Sequence, residues 1–202
     1  MVGPLLRPAW WVELQDGDIS LRPIRRRDRR EWEQLRASNR DWLEPWEATS
    51  PNPGTALDFG AYVADLHRQA RAGTALPLLV FYRGQMVGQL TIFSITYGSA
   101  MSATLGYWIA REFAGRGIIP TAVCLATDYC FKQLGLHRME INLRPENVAS
   151  KRVVEKLGFR YEGLRRQYLH IAGAWADHLS YALTSDEVPA GILARWRGQN
   201  VG

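Results

Sequence analysis

Between residues 105 and 134 the spacing of apolar and polar side chains changes character twice. Leu105-Gly106-Tyr107-Trp108-Ile109 is a run of bulky and β-branched residues bounded by turn formers, which predicts a strand. Ala110-Arg111-Glu112-Phe113-Ala114-Gly115-Arg116-Gly117 follows, and a long apolar run opens at Ile118. At about 100° per residue, Thr121, Asp128 and Lys132 fall on one narrow stripe, while Val123, Cys124, Leu125, Ala126, Tyr129, Cys130, Phe131 and Leu134 take most of the remaining surface. A largely buried helix is expected. Pro120 suits its first turn, where the missing N–H has no partner to lose.

The rest of the chain reads in the same way. Residues 18–24 alternate apolar and polar with Pro23 near the end, which predicts a first strand at a sheet edge. Residues 27–36 place Trp32 and Leu35 at helical spacing. Residues 39–47 predict a short helix before a loop rich in Pro, Ser and Asn; Trp42 and Trp46 either pin it to the core or wall a substrate pocket, and the pattern leaves both open. Residues 55–72 are helical through Leu57, Tyr62, Val63 and Leu66, with Gly73 closing the helix. Residues 76–82 and 86–95 form a hairpin across Arg83-Gly84-Gln85. A strand at 138–143, a helix at 147–156 stopped by Gly158, and a hairpin of 159–168 and 175–183 around Gly173 complete the order. Residues 187–197 fit either a helix packed on the domain or a partner surface. The order predicts an α+β (mixed α/β) fold, a sheet with helices on both faces, over residues 18–184. Residues 1–17 and 185–202 are expected as extensions.

With 202 residues, 47% hydrophobic, the chain is long enough for one full core and too short for two sizeable domains. No uninterrupted apolar run approaches the roughly 18 residues of a membrane helix, and residues 1–12 lack the cationic start of a secretion signal, so a cytoplasmic protein with no membrane partner is expected. Cys124 and Cys130 fall on different faces of the buried helix and read as core fillers. The histidines at 67, 137, 170 and 178 show no metal-ligand spacing with them, and no metal is expected. The formal charge of +5 suits a polyanionic ligand or an RNA-rich partner. The basic run from Arg25 to Arg30 reads as a solvated helix face, with no sequence-specific nucleic-acid binding.

Candidate chemistry begins at Gly115-Arg116-Gly117. Glycines let a ligand approach the backbone, and the helix behind them aims unpaired N–H groups and the positive end of its dipole at one point, where a phosphate fits. Gly-X-Gly alone is a weak signal, and neither a dinucleotide fingerprint nor a P-loop is present. A second stretch, Asn147-Val148-Ala149-Ser150-Lys151-Arg152-Val153-Val154, adds to it. Together the two resemble the GCN5-related N-acetyltransferase (GNAT) superfamily. The closer resemblance is to the ribosomal-protein-alanine N-acetyltransferases of the Rim type (RimJ-like), carried by residues 39–46, 145–150 and three short pieces between Glu162 and His178.

The resemblance implies a mostly antiparallel sheet and acetyl-coenzyme A as cosubstrate. Its pyrophosphate would lie on Gly115, Arg116, Gly117, Ile118 and Ile119, its pantetheine arm between Tyr107, Trp108 and Ile109 on one side and Asn147, Ser150 and Arg152 on the other. A backbone N–H near Ile109 would hold the oxyanion. Two departures stand out: Ala114 replaces the usual Gln or Arg, and Val154 stands where many members carry the tyrosine that protonates the leaving thiolate. Ser150 then becomes the candidate for that role; by itself the residue also fits a helix N-terminal hydroxyl capping its own backbone. Glu44, Tyr168 and Asp177 are candidates to relay the amine's proton. Without the resemblance, Asp177 fits an ion pair and Tyr168 a strand residue half in the core.

A free α-amine, of pKa about 7.8, is roughly 10 to 15% neutral at pH 7, whereas a lysine at about 10.4 needs roughly 3.5 kcal/mol of help. No carboxylate is placed as a strong base, which favours an N-terminal α-amine acceptor, a ribosomal protein being the case the resemblance implies. A small-molecule amine acetyltransferase, and a non-catalytic coenzyme-binding or ribosome-associated factor, are the alternatives. Monomer and homodimer both fit.

Overall fold

The structure is a computed structural model describing residues 11–52, 54 and 58–199. Strand β1 (Leu14–Asp16) turns back through Gly17, at φ +55°, into β2 (Ile19–Pro23). Helices α1 (Arg29–Ser38), α2 (Arg40–Leu43) and α3 (Phe59–Arg71) follow. Then come β3 (Leu76–Tyr82), β4 (Gln85–Thr96), β5 (Ser102–Ile109), α4 (Ile118–Lys132), β6 (Arg138–Leu143), α5 (Val148–Lys156), β7 (Arg160–Ile171), β8 (Ala174–Thr184) and α6 (Ile192–Gln199).

The strands form one sheet in the order β1-β2-β3-β4-β5-β6-β8-β7. Every neighbouring pair is antiparallel except β5 and β6, which run parallel through Leu105↔Ile141 and separate beyond it. The mixed, mostly antiparallel architecture is therefore present. The edge placement of residues 18–24 is corrected: β1 takes the edge and β2 lies inside it. A three-residue strand has too few positions to show an alternation, so β1 left no pattern in the sequence.

Strand β3 is buried on both faces, which is why it reads as a continuous apolar run. Leu76, Leu78 and Val80 join the main core under α4 and α5, while Leu79 and Phe81 meet Ile24, Phe59, Val63 and Leu66 beneath α1 and α3. Helix α3 begins at Phe59 because the Asp58 carboxylate accepts the Ala61 N–H at 2.8 Å. Leu57 and the expected helical residues 55 and 56 lie outside the described residues, as do 1–10 and 200–202.

Of the polar stripe of α4, Lys132 is exposed, and the other two residues bond to the last helix. Asp128 accepts the backbone N–H of Ile192 at 2.8 Å, and Thr121 Oγ1 accepts the Trp196 indole N–H at 3.0 Å. Residues 192–199 are thus a helix packed on the domain, capped by a side chain of α4. Among the described residues no helix is long and apolar enough to cross a membrane.

Candidate active site

The gap opened where β5 leaves β6 is the centre of a cavity of about 1240 Å³. Ala110 N–H donates to Val87 C=O, so in the antiparallel ladder the N–H and C=O of Tyr107 and Ile109 point away from β4, toward the gap. With no β6 partner beyond Leu105, the N–H groups of both are free to serve a ligand. The Ile109 C=O is taken by the Trp42 indole N–H at 3.0 Å.

Residues 39–47 bridge the separated strands. Trp42 ties them to β5, Asn39 Oδ1 accepts the Arg111 N–H at 2.8 Å, and Arg144, just past β6, donates to Pro45 C=O at 3.1 Å. Beyond them, Ala48 pairs with Ile171 and the Ala172 N–H donates to Glu47 C=O at 2.9 Å, fastening the segment to the tip of the β7–β8 hairpin. Of the two openings left by the sequence, the pocket wall is the one observed: Trp42 and Trp46 line the cavity, and Leu43 alone is buried.

At the other end lies the glycine loop. Gly115 and Gly117 have φ of +79° and +75°, left-handed values that side-chain-bearing residues resist. They turn the chain so that α4 starts with the Ile118 and Ile119 N–H groups unpartnered inside the helix, Pro120 contributing none. Arg152 and Lys156 of α5 line the same half and give it positive charge. This donor set, with the open edge of β5, fits a pyrophosphate followed by an amide-bearing arm. Arg116 is exposed, its guanidinium 5.4 Å from the Phe113 ring, and does not line the cavity.

Between the loop and the gap, Ser150 Oγ lies 2.8 Å from the Tyr107 hydroxyl. The helix-capping role at this end belongs instead to Asn147, whose Oδ1 accepts the Ser150 N–H at 3.0 Å. Burial pushes the Tyr107 phenol well above its ordinary pKa, against a smaller opposite pull from Ser150. Tyr107 therefore remains a protonated donor. Burial likewise pushes up the thiols of Cys124 and Cys130, which are free, inert and outside the cavity.

The structure thus brings together Tyr107, Trp108, Ile109, Gly115, Gly117, Ile118, Ile119, Asn147, Ser150 and Arg152. It does not bring in Glu44, Tyr168 or Asp177. Glu44 is exposed. Tyr168 is 36% exposed, edge-on to His178 and beneath the Arg165 guanidinium. Asp177 accepts the Gln167 N–H at 2.8 Å and so holds a bulge of β7, in place of the ion pair expected of it.

Sequence reasoning missed Trp32, Arg36, Glu47, Tyr62 and Gln89, which line the half of the cavity nearest α1 and α3. One signal was available: Gln89 is a polar residue inside an apolar strand. It is 5% exposed, accepts the Trp32 indole N–H at 2.9 Å and donates to the Tyr62 hydroxyl at 3.0 Å and Thr91 Oγ1 at 3.2 Å. Among the described residues no cluster of His, Cys, Asp or Glu could hold a metal.

A family model described as Acetyltransferase (GNAT) domain matches residues 18–160. The chain superposes on Mycobacterium smegmatis RimJ in complex with CoA-disulfide with a TM-score of 0.85 and 36% identity, over 94% of each chain. It is 28% identical to the [Ribosomal protein uS5]-alanine N-acetyltransferase of Escherichia coli (strain K12), over 87% of this chain and 92% of that one. The match to Bacillus subtilis (strain 168) YjcK is 38% identical but covers 51% of this chain and 57% of that protein.

Proposed function

The chain belongs to the GNAT N-acetyltransferase family, and from that premise we propose that it transfers the acetyl group of acetyl-coenzyme A directly to the N-terminal α-amine of a protein. One observation carries this reading: the glycine turn before α4, the open edge of β5 and the Ser150–Tyr107 hydroxyl pair meet in a single cavity. The similarity to a RimJ bound to a coenzyme A disulfide supports the donor, and the similarity to an enzyme named for the alanine of ribosomal protein uS5 supports the acceptor.

The cosubstrate supplies an activated thioester. The Ile118 and Ile119 N–H groups, with Arg152 and Lys156, hold its pyrophosphate. An N–H of the open edge of β5, at Tyr107 or Ile109, receives the oxyanion as the amine attacks. The 2.8 Å contact allows either hydroxyl to donate; with Tyr107 as the donor, the single Ser150 proton is left for the departing thiolate. A neutral α-amine is already present at roughly 10 to 15% at pH 7, so no strong base is required of the site.

The test is release of free thiol from acetyl-coenzyme A with peptides beginning in alanine, serine or methionine, set against polyamines and aminoglycosides. Release with the alanine or serine peptides alone is expected. Release with small amines alone would keep the family and overturn the acceptor, and no release with any amine would leave a coenzyme-binding factor.

A further inference from the structure

In the half of the cavity nearest α1 and α3, several polar groups are already bonded within the protein. Every hydrogen-bonding atom of the Gln89 amide group has a protein partner, in Trp32, Tyr62 and Thr91. Arg36 lies with its guanidinium 5.1 Å from the Trp32 ring and 5.4 Å from the Trp108 ring, and it forms an ion pair with Glu47. Around this pair the walls are the rings of Trp32, Trp42, Trp46 and Tyr62.

Glu47 is held by its backbone on both sides. Its N–H donates to Glu44 C=O at 3.2 Å and its C=O accepts from Ala172 at 2.9 Å, while its side chain is still 39% exposed toward the cavity. The other carboxylate on the cavity wall is Glu146, which lies beside α5, is 63% exposed and faces Arg144. A carboxylate accepts at about four lone-pair positions, so pairing with Arg36 leaves Glu47 acceptor capacity for a second cation.

We propose that Glu47, fixed by Arg36, is the anchor for the ammonium of the acceptor N-terminus. This deepens the reading above and rests on it. Only the fraction of bound amine that has given its proton to water attacks the thioester, so the anchor contributes affinity for the acceptor and not speed of attack.

The test compares binding of a peptide beginning in alanine with its des-amino analogue, in which hydrogen replaces the amino group, by calorimetry in the presence of coenzyme A. Native protein is expected to prefer the amine by roughly ten- to a hundredfold, the range of a charged hydrogen bond. Glu47→Gln, which can still bond to Arg36, is expected to lose that preference while coenzyme A affinity and the melting temperature stay the same. Arg36→Lys, which keeps a cation beside Glu47, is expected to retain most of it. Persistence of the preference in Glu47→Gln would overturn the anchor, with the enzyme reading intact. Absence of both peptide binding and turnover in native protein would overturn the acceptor reading, and this inference with it.

Discussion

Tyr107→Phe removes one oxygen from the centre of the site and leaves the ring where it packs. The lost contact is the 2.8 Å bond to Ser150 Oγ. A hydrogen bond of this kind has a net worth of about 0.5–1.5 kcal/mol, which is roughly a two- to twelvefold fall in kcat if it acts by directing the Ser150 proton at the thiolate. KM for acetyl-coenzyme A should change by less than about twofold, because the phenol contributes orientation and not binding surface. The decisive assay is a double-mutant cycle on kcat with Ser150→Ala, at saturating peptide. Loss of Ser150 removes the group that Tyr107 orients, so Tyr107→Phe should then cost nothing further. Burial holds the phenol protonated across the working pH range, so the ratio of native to Tyr107→Phe rates should be flat from about pH 6 to pH 9. Equal losses in the native and Ser150→Ala backgrounds, or a ratio that titrates in that window, would refute an orienting role.

Three further outcomes are expected. Gly117→Ala places a Cβ at a φ of +75° and should raise KM for acetyl-coenzyme A by about five- to twentyfold, corresponding to about 1–2 kcal/mol of left-handed strain, with kcat less affected; steady-state kinetics with varied cosubstrate checks it. Burial pushes the Asp28 carboxyl up, but the bidentate bonds from Arg22, both 2.8 Å, and the Arg25 N–H at 2.7 Å outweigh it, so its folded pKa lies below the ordinary value. A depressed folded pKa gives stability that is present above the unfolded pKa, near 3.9, and is lost as pH falls through the folded one; Asp28→Asn should cost roughly 2–3 kcal/mol at pH 7 and progressively less as pH falls below the unfolded value in denaturant titrations. Asp128→Ala removes the cap of α6 and should lower stability by about 1 kcal/mol, with faster amide exchange at 192–199 than in native protein.

The glycine loop, the strand before it and the buried helix after it were legible because each is set by its own few residues. Gly115 and Gly117 announce left-handed backbone, and Pro120 marks a first turn. Ser150 came from the resemblance; its own residues fitted a cap equally well, and only the approach of Tyr107, from a strand more than forty positions away, shows which bond its hydroxyl makes. Glu44 was chosen and Glu47 passed over because the cavity wall forms where the chain leaves the helical turn: Glu47 is extended, at φ −73° and ψ 127°, and enters the cavity while Glu44 faces solvent. The polar stripe that holds Asp128 gave no sign of its partner for a related reason. Periodicity reports polarity, and it does not distinguish water from the N-terminus of another helix.

The alternation of β5 fixes the order of events. Tyr107 and Ile109 point to the α4 and α5 side, where the coenzyme loop and Ser150 lie, while Gly106 and Trp108 point to the side of α1 and α3, where Arg36 and Glu47 stand. On the proposed reading, donor and acceptor approach from opposite faces of the sheet and meet at the gap between β5 and β6. A covalent acetyl-enzyme would need a nucleophile with an adjacent base. The cavity wall carries no cysteine and no histidine, and Ser150 is paired with a phenol held protonated, which is no base. On the proposed reading, both substrates are bound before the acetyl group moves. Initial rates with varied acetyl-coenzyme A at several fixed peptide concentrations are expected to give intersecting double-reciprocal lines; parallel lines, or acetyl transfer to the protein in the absence of peptide, would require a nucleophile that this wall does not contain.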